Sequence, residues 1–314
     1  MTTKYLNYSD EFYNSYKKFC FKQFNYSKYQ SNLTHLAWLN DNKRSNFRIV
    51  INDDKDVIGC IHKYKINLAT NVGLLEFTVL HDLAVSFNYT GIGQKLLRQE
   101  LKSYSPLILA HVTGKVAKTY KKIGSKSINS EWRYKLILTL NLFSKKKLYK
   151  YLHDENLIIN DIKFVNNKNT KSQIFVENLL SKFYKVNDDQ DFFDWRFLNK
   201  NSPLVFFIFD KDEKALMMMT IGFKSIFPFA RIFVTKGNNT EILDKIRISI
   251  EKFCALLGIT YIISSVINTK QYKFDNYTHL KIQPECFWYE DKNKNINTVE
   301  LDGSMTDLAF NGYW

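Results

Sequence analysis

The chain has 314 residues and 45% of them are apolar, so it can bury two cores of ordinary size and we expect two domains. Gly and Pro are scarce, at 11 and 4 residues, and no low-complexity tract is present, which argues against long disordered stretches. The formal net charge of +14 is compatible with an RNA, an anionic lipid surface or a phosphate-bearing ligand. Because the lysines are spread along the chain, nucleic acid is not the favoured partner.

Export and membrane insertion are not expected from this sequence. The N-terminal residues have no apolar region and no small-residue cleavage site, and nowhere do about 18 uncharged apolar residues follow one another. The four cysteines are far apart and lack CxxC spacing, so we predict reduced thiols and no metal site. These features together predict a cytoplasmic protein without a membrane span, and they leave its oligomeric state open.

The first half of the chain alternates strands with helices. We predict a helical stretch ending at 38–42, strands at 47–51 and 57–61 around the polar turn 52–56, a strand at 74–85, a helix at 92–104, a strand at 107–111, a helix at 115–122 and a closing strand at 132–142. This order predicts a mixed α/β sheet.

The second half repeats that order. We predict a helical stretch ending at 195–201, strands at 204–209 and 215–220 around the turn 210–213, a strand at 230–235, a helix at 240–257, a strand at 261–266, a helical piece near 269–279 and a strand at 286–290. Leu-Asn-x-Asn closes the first helical stretch of both halves, at 39–42 and 198–201. We therefore predict an internal duplication, with coincidence among α/β proteins as the alternative. The domains would be 1–145 and 155–314, divided in the Lys-rich segment 144–154.

The sharpest local motif follows the strand at 74–85, where Gly91-Ile92-Gly93 opens a helix. Backbone N–H groups and the positive end of a helix converge at such a turn, and glycines let an anion approach the main chain. A tight strand-to-helix turn without a ligand uses the same residues, so the motif by itself leaves both interpretations open.

A second motif lies one strand further along, where Tyr120 is followed four residues later by Gly124. With both motifs in this order, the N-terminal half resembles the GCN5-related N-acetyltransferase (GNAT) superfamily over about 47–142. The family usually has Arg or Gln three residues before the first motif glycine, whereas this chain has Asn88, so the phosphate loop is abbreviated. In the second half the resemblance is one of topology only.

The resemblance implies an acyltransferase that uses acetyl-CoA or another acyl-CoA, without a metal, and in which an amine attacks the thioester directly. The splayed end of the strand at 80–85 would bind the cofactor through the backbones of Leu83 and Val85. The loop that would hold its pyrophosphate comprises Asn88, Tyr89, Thr90, Gly91, Ile92, Gly93 and Gln94.

Tyr120 occupies the position that protonates the departing sulfur in many GNAT relatives. Its phenol stays neutral near pH 7, as an acid must, although packing in the core is the alternative role. The candidate bases are Glu76 and Asp82, which project from one face of the strand if no β-bulge intervenes, with His81 on the other face. A bulge would exchange these assignments, and a carboxylate at a strand end also serves as a cap.

The second half lacks the glycine loop, since Lys-Gly-Asn-Asn at 236–239 precedes Thr240, which we predict to cap the next helix. This domain is expected to have lost cofactor binding and to form an acceptor pocket or an interface. The leading function is transfer of an acetyl or other short acyl group to an amine of a small molecule, such as an amino sugar or sugar nucleotide. The alternatives are an aminoacyl-tRNA-dependent transferase with paired GNAT-like domains and a non-catalytic ligand-binding or scaffold protein.

Overall fold

The structure is a computed structural model that describes residues 2–24, 30–41, 45–102, 106–112, 114–128, 130–154, 157–184, 189–224, 227–267, 272–281, 284–289, 296–297 and 299. Along these residues the strands are β1 (Lys4–Asn7), β2 (Ser45–Ile51), β3 (Val57–Thr70), β4 (Gly73–Val85), β5 (Leu107–Val112), β6 (Lys126–Ile128), β7 (Ser130–Leu136), β8 (Ile158–Ile159), β9 (Ile162–Asn166), β10 (Phe206–Asp210), β11 (Leu216–Lys224), β12 (Phe227–Lys236), β13 (Tyr261–Ile267), β14 (Thr278–His279) and β15 (Glu285–Tyr289).

The helices separate these strands in the order that the sequence predicts. They are α1 (Tyr13–Gln23), α2 (Leu33–Asn40), α3 (Ile92–Leu101), α4 (Gly114–Lys122), α5 (Lys145–Leu152), α6 (Gln173–Phe183), α7 (Gln190–Phe193) and α8 (Thr240–Leu257), and a π-helical turn, Asp194–Leu198, follows α7. The mixed α/β class is therefore confirmed.

The described residues fall into two compact units. The first contains the residues up to 127 and those from 286 onward, and the second contains 128–285. The first unit has a seven-stranded sheet in the order β1-β2-β3-β4-β5-β15-β6, and the second has an eight-stranded sheet in the order β14-β7-β13-β12-β11-β10-β9-β8. Each sheet contains a parallel pair near its centre, β4 with β5 and β12 with β13.

This division differs from the boundary expected at 144–154. Strand β7 pairs with β13 in the sheet of the second unit, and the late strand β15 lies between β5 and β6 in the sheet of the first. The Lys-rich segment is no linker, because it forms the amphipathic helix α5, whose Leu148 is buried in the core of the second unit. Backbone hydrogen bonds decide which sheet a strand joins, and charge composition does not report them.

Two other sequence expectations need correction. The helical piece near 269–279 lies partly outside the described residues, and its end forms the short strand β14 instead of a helix. The strand expected at 57–61 continues to Thr70, because β3 and β4 form one long hairpin whose register runs to Thr70 and Gly73. Helix α8 has the predicted bounds, 240–257.

The first unit has a hydrophobic core on each face of its sheet. Helices α3 and α4 cover one face, where the buried residues include Leu80, Leu96, Leu97, Leu109, Tyr120 and Phe287. Helices α1 and α2 cover the other face, where they include Tyr16, Phe19, Leu36, Phe47, Ile49 and Cys60. The second unit packs α8 onto β10–β12 through a core that includes Phe206, Met217, Ile232, Ile250 and Phe253.

Gly258 ends α8 in a left-handed conformation, with φ of 77°. A Cβ at this position would overlap the backbone of Leu142 and Phe143, which cross the end of the helix. We expect Gly258→Ala to destabilise the second unit by at least about 2 kcal/mol, since the left-handed backbone alone costs an L-residue about 1–2 kcal/mol. The melting temperature measures this loss. Gly73→Ala is the control, because Gly73 also has positive φ but faces open space, so an equal loss in both variants would contradict the role of the overlap.

Candidate active site

Strands β4 and β5 separate where the sequence motif predicts a cofactor groove. Their parallel register ends at the pair Leu80 and Leu109, although β4 continues to Val85 and β5 to Val112. Beyond this pair the main chain of β4 is not bonded to β5 in register, so its amides and carbonyls border a gap. Leu83 and Val85 pack their side chains against the core beneath α3, which leaves only their backbones as ligand contacts.

A β-bulge interrupts β4 at this point. Cys60 of β3 pairs with Ala84, but His62, only two residues later, pairs with His81, so β4 carries one extra residue. Asp82 lies in the bulge with φ of 50°. The condition for Glu76 and Asp82 to share a face is therefore not met, because the bulge turns Asp82 to the side of His81, while His81 keeps the face opposite to that of Glu76.

Glu76 lies away from the bulge, near the hairpin turn that joins β3 to β4. Its half-exposed carboxylate pairs with Lys65 Nζ at 2.7 Å. An exposed pair of this kind contributes little to stability. The structure therefore does not bring Glu76 together with the other predicted site residues.

Asp82 lies between two imidazoles. Its Oδ2 is 3.1 Å from Nδ1 of His81 and 3.3 Å from Nδ1 of His62, and all three side chains are at least nine-tenths buried. A carboxylate only accepts hydrogen bonds, so each Nδ1 carries a proton and donates it, which leaves Nε2 of each ring as the acceptor. We call His62, Asp82 and His81 the His-Asp-His cluster.

Burial and hydrogen bonding act in opposite directions on the pKa values of this cluster. Burial raises the pKa of the Asp82 carboxyl, but the neighbouring His81 and His62 outweigh it and hold that pKa well below its usual range. Burial lowers the pKa of His62, against a smaller opposing effect of Asp82. Asp82 is therefore an ionised group that orients imidazoles, and it is a poor proton acceptor itself.

The three residue types of the His-Asp-His cluster also bind metals, and their ligand atoms lie within 4.8 Å of one another. Direct hydrogen bonds account for both N–O distances, 3.1 and 3.3 Å. We therefore interpret the cluster as a hydrogen-bonded group in which Asp82 orients the two imidazoles.

The Asp82→Asn variant should be less stable than the wild type, by a free energy of unfolding that depends on pH. Because folding lowers the pKa of Asp82, its contribution is fully present above its ordinary pKa of about 3.9 and is lost as the pH falls below that value. We expect the variant to be about 3 kcal/mol less stable than the wild type at pH 7, with a difference that shrinks below about pH 4. Urea unfolding at pH 7 and at pH 3 measures this. Glu76→Gln, the control, should cost less than about 1 kcal/mol, and a pH-independent loss in Asp82→Asn would contradict the expectation.

The turn before α3 is open to a ligand. Gly91 is the N-cap of α3 with φ of 85°, it makes no side-chain cap, and a Cβ built on it meets nothing within 4 Å. The first amides of a helix have no intrahelical acceptor, so those at 92–94 point out of the end of α3. Of the remaining predicted loop residues, Asn88, Thr90 and Gln94 are exposed, while Ile92 is buried beneath α3.

A cleft of about 560 Å³ borders this loop on the side of α1. Lys18 and Lys22 of α1, Asn52 of the β2–β3 turn, and the loop residues Asn88 and Tyr89 line it, and Nδ2 of Asn52 donates to the Tyr89 hydroxyl at 3.3 Å. The two lysines could not be singled out from the sequence, since lysines four residues apart on a helix also fit a solvated face. Sequence analysis likewise missed His62, because only the register of β3 on β4 reveals its position.

Tyr120 is buried in the core beneath α3 and α4, with 2% of its side chain exposed. The centroid of its ring is 6.2 Å from that of Phe287, in a T-shaped arrangement. Burial raises the pKa of its phenol above the usual value. The phenol is therefore neutral at physiological pH, as an acid requires.

The second unit has the same bulge and the same separation of strands but a closed helix end. The register of β11 and β12 shifts between Met218 and Met219, and the pairing of β12 with β13 ends at Ile232. Here the N-cap is Asn239, not the predicted Thr240, and its side chain accepts a hydrogen bond from the amide of Ile242. One of the helix-end amides that an anion would use is thus already satisfied.

No protein-family model matches this chain, and no curated protein matches it by sequence. Solved structures match its fold over 91–92% of its length. A conserved Enterococcus faecalis V583 protein, a candidate N-acyltransferase, has a TM-score of 0.50 at 8% identity over 72% of that chain. A candidate acetyltransferase from Pyrococcus horikoshii has a TM-score of 0.56 at 10% identity over 90% of that chain.

A third match is a GCN5-related glucosamine N-acetyltransferase region of a fungal multi-domain β-N-acetylglucosaminidase, with a TM-score of 0.57 at 11% identity. The chain spans 38% of that protein. At these identities the likeness establishes the fold alone, and the chain shares that fold with the GCN5-related region and the two other structures. The two-unit layout is compatible with a tandem arrangement. Among the described residues, no helix is both long and apolar enough to cross a membrane.

Proposed function

We propose that this protein is an acyl-CoA-dependent N-acyltransferase that transfers an acetyl or other short acyl group to an amine of a small molecule. The observation that carries the proposal is the separation of β4 from β5 directly before the uncapped, open turn at Gly91. An extended gap beside a helix N-terminus suits a ligand that has an amide-bearing arm and a diphosphate. The second unit, with its capped helix end, is not proposed to bind the cofactor.

The residues of the first unit fit such a cofactor. The amides at 92–94 and the loop 88–91 would hold its pyrophosphate, and the backbones of Leu83 and Val85 would bind its pantetheine arm. When bound, acyl-CoA supplies a thioester whose acyl carbon bonds to the amine nitrogen while the carbon–sulfur bond breaks. The side chains of this chain then move protons and hold charges.

His81 is the proposed base. It is the first residue of β4 beyond the last pair with β5, Asp82 holds its Nδ1, and Nε2 is the ring atom proposed to take the proton of the incoming ammonium. His62 has the same partner, but its Nε2 is buried without a hydrogen-bond partner in the described part of the chain. Asp82 thus becomes a positioning residue, Glu76 has no role, and Tyr120 stays the proposed acid for the sulfur.

Amino sugars are the first acceptors to test, because one structure of this fold is a glucosamine N-acetyltransferase region. A cytoplasmic setting, which we also propose, would supply acetyl-CoA, and the four cysteines are buried free thiols that suit a reducing compartment. The experiment is an amine panel with acetyl-CoA and a free-thiol readout, together with calorimetry of coenzyme A binding. Thiol release with one acceptor class is the expected result. Absence of both release and binding would favour a scaffold, and salt-sensitive tRNA binding without coenzyme A binding would favour the aminoacyl-tRNA alternative.

A further inference from the structure

Four leucines of the second unit are exposed in a row after β7. Leu136, Leu138, Leu140 and Leu142 expose 66%, 98%, 106% and 90% of their surface, and they occupy every second position of this segment. In extended chain, every second side chain projects to the same side. We call these four residues the leucine ridge.

The backbone beneath the leucine ridge is fixed to the second unit. The amide of Ile137 donates to the carbonyl of Thr260 at 2.8 Å, and the amide of Ser144 donates to that of Leu257 at 3.3 Å. The polar side chains between the leucines, Thr139 and Asn141, both donate to the carbonyl of Ala255. Thr139 is therefore turned toward the unit, Asn141 is bonded to it although it is exposed, and the four leucines face solvent as one apolar patch.

A cluster of lysines follows directly. Lys145, Lys146, Lys147 and Lys150 of α5 are all exposed, and none of them has a carboxylate partner within the part of the chain that the structure describes. Helix α5 is fixed by its N-cap Ser144, whose Oγ accepts from the amide of Lys147, and by the buried Leu148. Positive charge and exposed apolar surface thus lie next to each other on one rigid unit.

We propose that the leucine ridge and the α5 lysines dock on the surface of an anionic lipid bilayer. Leucines that enter the boundary of the acyl chains lose their contact with water, while lysines beside them meet anionic headgroups. An interface with a second copy of this chain is less favourable, because a two-fold contact at the ridge would bring the lysines of both copies together. RNA would engage the lysines but would leave the leucines in water. This proposal goes beyond the proposed acyl transfer and does not depend on it.

The test is co-sedimentation of the full chain with vesicles of phosphatidylcholine alone and of phosphatidylcholine with 30% phosphatidylglycerol. We expect binding to the anionic vesicles at least tenfold stronger than to the neutral ones, and weaker binding at higher salt. The variant Leu138→Ser/Leu140→Ser/Leu142→Ser should lower binding to anionic vesicles at least tenfold, with an unchanged melting temperature. Ile174→Ser, which changes a 74% exposed residue on α6, is the control and should bind like the wild type.

Lys145→Glu/Lys146→Glu should remove the preference for anionic vesicles. Equal binding by the wild type and the leucine variant would overturn the proposal, as would an absence of vesicle binding at low salt. A dimer seen by light scattering that the leucine variant abolishes, without vesicle binding, would assign the leucine ridge to self-association instead.

Discussion

Gly91→Glu is expected to abolish the rise in melting temperature that acetyl-CoA gives the wild-type protein. A ligand at 100 times its Kd stabilises the folded state by about 2.7 kcal/mol, which corresponds to several degrees for a chain of this size. The new carboxylate would lie against the pyrophosphate, in the space that is open at Gly91. The carboxylate and the pyrophosphate are both negative and would repel each other. The carboxylate would also compete with the pyrophosphate for the amides of the α3 N-terminus. Differential scanning fluorimetry with and without acetyl-CoA measures the effect.

Two variants separate charge from backbone strain in this experiment. Gly91→Ala introduces the same strain at φ of 85° without a charge, so it should retain most of the shift. Gly73→Glu places a carboxylate on another glycine with positive φ and open space around it, in the β3–β4 hairpin turn, and should retain all of it. If acetyl-CoA raised the melting temperature of Gly91→Glu as much as that of the wild type, the pyrophosphate would not bind at this turn. The main support for acyl-CoA binding would then be lost.

His81→Gln is expected to lower kcat by about 10²- to 10⁴-fold, the range that general bases contribute, with little change in the KM for acyl-CoA. Glutamine retains the size and polarity of the side chain but cannot accept the proton. The deficit should shrink as the pH approaches the pKa of the acceptor amine, because an amine that is already neutral needs no base. Initial rates over a range of pH, with the best acceptor from the amine panel, measure both effects.

The matched control for this variant is His153→Gln, since His153 is an exposed histidine outside the site. Asp82→Asn should also lower kcat, because Asp82 holds the imidazole of His81 at 3.1 Å. If His81→Gln loses activity equally at every pH, His81 serves the structure only and another group is the base.

Local patterns in the sequence predicted much of the fold. Short apolar runs gave the strands on both sides of the 52–56 turn, and the amphipathic period gave α8 from 240 to 257. The glycines at 91 and 93 marked the turn before α3, and Gly91 has the left-handed backbone that few other residues adopt. Such signals depend on neighbours within a few positions of the chain, so composition and spacing are sufficient to find them.

The contacts between distant segments were beyond the sequence. One extra residue in β4 places Asp82 beside His81 and His62, and not on the face of Glu76 as expected. No local sequence pattern reports this bulge, because a bulge is defined only by the pairing of β4 with β3. The exchange of β7 and β15 between the sheets likewise depends on which strand edges meet in three dimensions. By itself the sequence determined most of the elements and the glycine turn before α3; the tertiary structure alone decided the register that assembles the His-Asp-His cluster, because register is a property of paired strands.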